Sequence, residues 1–127
     1  MLLNDLFIED DRQPGDGTLT VLLHLCFPHR IFDGHFPGRP VLPGACLVQL
    51  VAELAASVAG GEVRLIRAGQ VKFITMVDPV RDGSVAMTLT GKELAAGEWQ
   101  ITAEGFNAGA VCFRFKGVFR AGSNYAG

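Results

Sequence analysis

Residues 43–61 read PGACLVQLVAELAASVAGG, and this stretch decides the fold because it carries the one clear helical period in the chain. Large apolar side chains recur in it at spacings of three, four and seven residues: Leu47, Leu50, Val51, Leu54 and Val58. This spacing predicts an amphipathic helix over residues 43–59. Pro43 suits the first turn of a helix, and the pair Gly60-Gly61 is typical of a helix end. We therefore expect one central helix.

The opposite side of this helix has small side chains. At about 100° per residue, the apolar stripe lies nearly opposite Gln49. The neighbours of Gln49 on that side are Ala45, Ala52 and Ala56, and Glu53 follows one helical turn later. We expect the large side chains to face a sheet. The alanine side then leaves room for a partner helix, a substrate chain, or both.

The remainder of the chain is typical of strands joined by turns. Apolar alternation predicts about six strands, at residues 2–9, 18–27, 63–77, 83–95, 98–107 and 110–120. The run Gln13-Pro14-Gly15-Asp16-Gly17 predicts a turn within residues 10–17. One helix among antiparallel strands indicates an α+β domain, with the sheet wrapped around the helix. We assign residues 1–127 to this single domain, since no repeat or linker divides them.

Composition narrows the possible partners. Hydrophobic residues make up 49% of the 127 residues and charged residues only 19%, which favours a subunit interface over a fully exposed surface. The formal net charge of −2 argues against a nucleic-acid-binding protein. We therefore expect an oligomer that binds no nucleic acid.

The cysteines and the hydropathy pattern bear on location. Cys26, Cys46 and Cys112 are odd in number and show no Cys-x-x-Cys spacing, as expected of reduced thiols in the cytoplasm. Acidic residues early in the chain argue against a signal peptide, and no apolar run approaches the ~18 residues of a membrane span. We expect a cytoplasmic protein without a membrane span.

The segment before the helix carries the candidate chemistry. Glycines and prolines between residues 34 and 44 are too dense for regular structure, so His35 is expected in a stiff loop. Gly44 follows Pro43 at the start of the helix, where a free backbone N–H meets the positive end of the helix dipole. Such an amide suits a carbonyl oxygen that gains negative charge during a reaction.

The run Gly34-His35-Phe36-Pro37-Gly38-Arg39-Pro40-Val41-Leu42-Pro43-Gly44 closely resembles the signature of the bacterial 3-hydroxyacyl-[acyl-carrier-protein] dehydratases, the FabZ/FabA-like enzymes. A weaker resemblance extends from the first residues to about Phe119. The resemblance implies a hot-dog fold. It also implies reversible dehydration of a 3-hydroxyacyl thioester to a 2-enoyl thioester, in fatty-acid or related acyl-chain biosynthesis.

The resemblance assigns roles residue by residue. The family's catalytic histidine falls on His35, and its oxyanion-binding backbone amide falls on Gly44. The family's catalytic carboxylate, fourteen positions after the histidine, falls on Gln49, and the family glutamine one turn later falls on Glu53. The usual acid-then-amide pair is therefore reversed here. Because an amide is no proton source at pH 7, either Glu53 supplies the proton, or the chain is slow, or it binds without turnover.

The resemblance further implies how substrate is held. It places an acyl tunnel beside the alanine side of the helix, for which we predict the lining residues Phe36, Pro37, Pro43, Ala45 and Ala52. The acyl group would be carried on the phosphopantetheine arm of an acyl carrier protein, or on coenzyme A, with no further cofactor. A basic rim of Arg30, Arg39 and Lys72 would meet the acidic carrier. The family's two-fold interface implies a homodimer, or a dimer of dimers or trimer of dimers, with the histidine of one subunit opposite the helix of the other.

Two other functions fit the same residues. In a hot-dog acyl thioesterase, Gln49 and Glu53 would orient an attacking water. In a non-catalytic acyl-carrier-binding subunit, the chain would pair with an active relative that supplies the missing carboxylate. A simpler interpretation makes Gln49 a satisfied amide and Glu53 an ordinary helix residue.

Two further patterns have simple interpretations. His24, Cys26, His29 and His35 lack the short paired spacing of zinc ligands, so we predict no metal site. Phe32, Phe36, Phe73 and Phe113 are predicted as core aromatics, with Phe36 also a candidate tunnel wall.

Overall fold

The computed structural model describes residues 1–33 and 40–122. Within them lie the helix α1 (Gly44–Ala59), a short 3-10 turn (Arg30–Phe32) and six strands, namely β1 (Phe7–Gly15), β2 (Thr18–Leu25), β3 (Val63–Phe73), β4 (Ser84–Ala95), β5 (Glu98–Asn107) and β6 (Ala110–Ala121). The strands form one antiparallel sheet in the order β1-β2-β4-β5-β6-β3. The predicted α+β architecture is confirmed.

The helix begins and ends where the local sequence requires. Pro43 is the N-cap, with an extended backbone at φ −61° and ψ 135°, and Gly60 is the C-cap. Gly60 takes the left-handed conformation at φ 81°, and its N–H donates to the carbonyl of Ala56 at 3.0 Å. Only glycine adopts this conformation without a Cβ penalty, so the helix stops at Ala59.

The core lies between α1 and the sheet. The helix packs against β2, β3, β4, β5 and β6. Four residues of its predicted apolar stripe are buried, with Leu50 and Leu54 fully inaccessible to solvent, whereas Val58 near the helix end is partly buried. The same core cluster contains a row of phenylalanine rings from β6, in which Phe115 is stacked on Phe113 and tilted against Phe119. These contacts bury the side of the helix that carries Leu50 and Leu54.

The first strand differs from its prediction. The predicted strand at residues 2–9 and turn at 10–17 are wrong, because β1 runs from Phe7 to Gly15 and only Asp16 and Gly17 form the turn. Pro14 lies inside β1, opposite Leu19. Since β1 is an edge strand, the missing N–H of a proline is tolerated there. Its charged residues belong to a solvated edge and not to a loop.

The third strand is shorter than predicted. It ends at Phe73 and does not continue to residue 77. Beyond Phe73 the chain turns towards the segment that precedes α1, where the N–H of Leu42 donates to the carbonyl of Val77 at 2.9 Å. This contact brings residues 73–77 beside the helix start. In the described ranges, no helix is long and apolar enough to cross a membrane.

Candidate active site

The start of α1 is shaped by a close contact between Gly44 and Phe73. A Cβ atom built on Gly44 would lie 2.7 Å from two carbons of the Phe73 ring, closer than real Cβ contacts allow. With the Phe73 ring in this position, a larger residue than glycine would displace the ring. The first N–H groups of a helix have no partner within the helix, so the amide of Gly44 is a donor at the place where the sequence predicts one.

An apolar groove of about 490 Å³ lies at this helix start. We call it the helix-start groove, and it is lined by Val41, Leu42, Pro43, Gly44, Ala45, Leu47, Phe73, Ile74, Thr75, Met76 and Val77. The predicted tunnel residues Pro43 and Ala45 are among its lining residues, whereas Ala52 lies two turns further along the helix. The volume and the apolar lining are typical of a site for a small organic chain.

Phe73 is a lining residue that the sequence prediction misplaced. Phe32 and Phe113 are buried as predicted, but Phe73 is 55% exposed, so its assignment to the core is wrong. Its ring stacks on Phe113 at 5.6 Å between centroids, and Phe73 also lines the groove. In the sequence, the apolar pair Phe73-Ile74 is followed closely by Met76. All three side chains are exposed in the structure. This apolar run was the available sequence signal for a lining segment.

Gln49 and Glu53 lie together on the side of α1 that the sheet leaves uncovered. We call this side the open face, and it consists of Ala45, Gln49, Ala52, Glu53 and Ala56. The side chain of Gln49 is exposed, and its Nε2 donates to Oε2 of Glu53 at 3.1 Å. The two residues of the reversed amide-then-acid pair are therefore joined by a direct hydrogen bond.

Glu53 also holds a distant part of the chain. Its Oε2 accepts from the backbone N–H of Leu2 at 2.8 Å, and its Oε1 accepts from that of Leu3 at 3.0 Å. Three donors thus converge on one half-buried carboxylate. No local sequence signal predicts this, because about fifty residues separate the partners.

The corner at residues 29–33, which precedes the glycine- and proline-rich segment in the sequence, is held by His29. Its Nδ1 accepts from the N–H of Ile31 at 3.0 Å, so Nε2 carries the proton that faces Asp5 at 3.1 Å. The hydrogen bond from His29 lowers the pKa of Asp5. Asp5 therefore links the N-terminal segment to the corner that leads into residues 34–39.

Four predicted site residues lie outside the described residues: His35, Phe36, Pro37 and Arg39. Of the other two predicted rim residues, Lys72 is exposed beside Phe73 at the groove, and Arg30 is exposed at the His29 corner with its guanidinium 3.8 Å from Asp5. His24 lies 3.3 Å from Asp10 on the outer strands. The described histidines are thus held by separate carboxylates.

A buried thiol near the groove bears on the possible nucleophiles. Cys46 lies in the first turn of α1 and is 7% exposed. Its burial raises the pKa of the thiol, so the reactive thiolate is disfavoured at neutral pH. Cys46 is therefore better described as a packing residue than as a nucleophile.

Comparison with solved structures identifies the class of fold. The chain is similar to a structure of the dehydratase heterocomplex ApeI:P from Xenorhabdus doucetiae, with a TM-score of 0.76, 22% identity, and coverage of 90% of this chain and 97% of the other. It is also similar to a thioesterase from Staphylococcus aureus, with a TM-score of 0.71, 11% identity, and coverage of 94% and 95%. These likenesses confirm the predicted hot-dog fold.

Sequence comparison then identifies the family. The model of the ApeI-like dehydratases, described as ApeI dehydratase, matches residues 11–109, and the chain belongs to this family. Relatives include the 3-hydroxyacyl-[acyl-carrier-protein] dehydratases FabZ of Caulobacter vibrioides, 30% identical over 101 residues, and of Acidiphilium cryptum, 34% identical over 102 residues. Each match covers 75% of this chain, and 55% and 57% of the respective relative. The chain spans about half the length of the curated relatives it matches.

Proposed function

We propose that this protein is a 3-hydroxyacyl thioester dehydratase that interconverts 3-hydroxyacyl and 2-enoyl thioesters. The observation that carries the proposal is the helix-start groove in a chain of a dehydratase family. Its apolar walls suit an acyl chain, and Gly44, whose amide can donate to the thioester oxygen, is among the lining residues. A pre-organised donor of this kind typically contributes ~10²–10³ in rate.

The proposed reaction begins at His35. An imidazole titrates near pH 6.5 in the absence of perturbation, so it is a competent base for the proton on C2 of the substrate. The electron pair of the broken C2–H bond forms the C2–C3 double bond, and the C3–O bond breaks. The leaving hydroxide takes a proton and departs as water.

The contacts of Glu53 favour the imidazolium of His35 as the source of that proton. Glu53 already accepts three N–H hydrogen bonds, from Leu2, Leu3 and Gln49. A carboxylate in this position acts as a hydrogen-bond acceptor. In the proposed mechanism, His35 therefore first removes and then returns the proton, and Gln49 holds the 3-hydroxyl group.

We further propose that the active form is a homodimer joined through β3. This strand is one edge of the sheet and exposes Ile66, Val71 and Phe73. An uncovered apolar edge strand is a natural pairing site for a second strand. The family arrangement would then place His35 of one subunit opposite Gln49 of the other, and larger assemblies would be built from this dimer.

The substrate is proposed to arrive on the phosphopantetheine of an acyl carrier protein, with coenzyme A thioesters as the alternative. The relatives are named as acyl-carrier-protein dehydratases, and exposed Lys72 lies next to the groove. Arg30 and Arg39 complete the proposed rim for an acidic carrier.

The three cysteines are free thiols, which supports a place in the reducing cytoplasm.

The test is incubation of the purified protein with short and medium 3-hydroxyacyl and 2-enoyl thioesters, while enoyl absorbance and free thiol are followed together. A dehydratase interconverts the two thioesters without releasing thiol. Release of thiol would instead identify an acyl thioesterase, the activity named for one protein of similar fold.

Binding without either reaction would favour the non-catalytic subunit. One similar structure is a dehydratase heterocomplex. By analogy, a non-catalytic subunit would act by pairing with an active relative. Co-expression with such a relative, followed by the same two measurements on the complex, would then locate the activity.

A further inference from the structure

The hydrogen bond between Gln49 and Glu53 determines which way the Gln49 amide faces. A glutamine amide has one end that donates and one that accepts, whereas an ionised carboxylate only accepts. The end of Gln49 that lies 3.1 Å from Oε2 of Glu53 must therefore be its NH₂ group. Its carbonyl oxygen, on the other branch of the amide, is then left for a different donor, and the Gln49 side chain is exposed.

Glu53 is itself held by contacts outside the helix. The two backbone donors at Leu2 and Leu3 take both carboxylate oxygens, one each. These bonds restrict rotation of the carboxylate, and Gln49 binds to an acceptor whose position is already determined. A long, flexible glutamine side chain otherwise loses considerable rotamer entropy when it is ordered. The N-terminal segment thus contributes to the order of Gln49 through Glu53.

We propose that Glu53 is a positioning residue, which turns Gln49 so that its carbonyl oxygen accepts a hydrogen bond from the 3-hydroxyl group of the substrate. This inference rests on the proposed function and specifies how the reversed pair serves it. A 3-hydroxyl group can donate to this oxygen, whereas a 3-oxo group has only acceptor oxygen and would oppose it. The arrangement therefore selects 3-hydroxyacyl over 3-oxoacyl compounds.

The test measures binding, so it does not depend on turnover. Pantetheine amides carrying a 3-hydroxyacyl or a 3-oxoacyl group, with nitrogen in place of the thioester sulfur, are titrated into the full-length protein by calorimetry. The wild-type protein is expected to prefer the hydroxy compound by about tenfold, the contribution of one net hydrogen bond. Equal affinities, or no binding of either compound, would overturn the proposal.

The variants separate positioning from the other roles of Glu53. In Glu53→Gln the amide at position 49 can pair in either orientation, so the hydroxy-to-oxo ratio should fall to about one. Gln49→Ala should lose the ratio equally, and the double variant should lose nothing more. Glu9→Gln, which changes a half-buried carboxylate outside the open face, is the matched control and should keep the wild-type ratio.

Other outcomes contradict the proposal. An unchanged ratio in Glu53→Gln together with lost turnover would make Glu53 a proton donor. An unchanged ratio with only a lower unfolding temperature would make it a structural anchor.

A measurement on the wild-type chain decides the matter if Glu53→Gln does not fold. The side-chain NH₂ protons of Gln49 should exchange with solvent more slowly than those of Gln100, because one of them is bonded to the carboxylate. Equal exchange rates would overturn the assigned orientation. An inactive wild-type protein with an intact binding ratio would refute the dehydratase function and leave this inference standing.

Discussion

The two sides of α1 are treated differently by the fold. On one side Leu47, Leu50 and Leu54 are 3% exposed or less and are covered by the sheet. On the other side lies the open face, where Gln49 donates to Glu53 and Glu53 accepts from the backbone N–H groups of Leu2 and Leu3. A single helix thus stabilises the fold with one stripe and presents chemical groups with the other. Substitutions on the two sides should therefore affect different measurements.

The largest expected effect comes from His35, which is proposed to lie opposite the open face. His35→Ala should lower dehydratase turnover by at least ~10²–10⁴, because the reaction loses its base. The fold should be retained, since the sequence predicts His35 in a loop, where an imidazole contributes little to the core. Turnover of the 3-hydroxyacyl thioester and the far-UV circular dichroism spectrum provide the two readouts. Wild-type turnover in this variant would remove His35 from the mechanism.

The buried side of the helix should respond in stability. Leu50→Ala leaves a cavity at a fully buried position and should reduce the free energy of unfolding by about 2–5 kcal/mol. Its matched control is Gln49→Ala on the exposed side, where the change should stay within about 0.5 kcal/mol. Urea unfolding followed by fluorescence of Trp99 measures both. Equal losses of unfolding free energy in the two variants would show that the two sides of α1 do not differ in their contribution to stability.

The reversed pair can be restored to the family order. The double variant Gln49→Glu/Glu53→Gln returns an acid followed by an amide and should raise dehydratase turnover by about 10-fold or more, because a dedicated acid, which typically contributes ~10²–10⁴, would then protonate the leaving hydroxide in place of the His35 imidazolium. Gln49→Glu alone should raise it less, because it places a second carboxylate one helical turn from Glu53, where like charges oppose each other. Steady-state kinetics on one 3-hydroxyacyl thioester compares the variants. No gain in either variant would show that the wild-type chain does not lack an acid.

In the proposed dimer, a second subunit would lie over the open face. Val71→Lys places a charge on the exposed edge of β3 and should shift the proposed dimer towards monomer. Ile8→Lys makes the same change at an exposed position on β1, the opposite edge, and should leave assembly unchanged. Light scattering at micromolar concentration distinguishes the two. A wild-type mass of 13.6 kDa would contradict the proposed homodimer.

The smallest expected effect lies where β1 meets the end of the open face. Arg12 bonds both Glu9 and Ser57 of α1, and its hydrogen bond to Glu9 lowers the pKa of that carboxyl from its ordinary value of 4.5. A lowered pKa stabilises the fold above pH 4.5, and this contribution disappears as the pH falls through the lower, folded value. Glu9→Gln should therefore cost a few tenths of a kcal/mol at neutral pH. Below both pKa values, the two unfolding curves should coincide.

Local signals predicted the helix better than they predicted the edges of the sheet. The helical period and the glycine pair placed α1 within one residue, because hydrogen bonds between near neighbours decide those positions. The first strand was misplaced because charges and Pro14 are typical of a turn, yet an edge strand tolerates both. Whether a strand lies at the edge or in the centre is a property of the assembled sheet and not of the strand's own sequence.

The amino-acid sequence alone determined the α+β class, the ends of α1, its buried stripe and the small side chains around Gln49. These follow from residue spacing and backbone preference, which act over a few neighbouring positions. Only the tertiary structure decided that Phe73 closes against Gly44 and that Leu2 and Leu3 donate to Glu53. Those partners lie 29 to about 50 residues apart, and no local period records which distant groups a folded chain brings together.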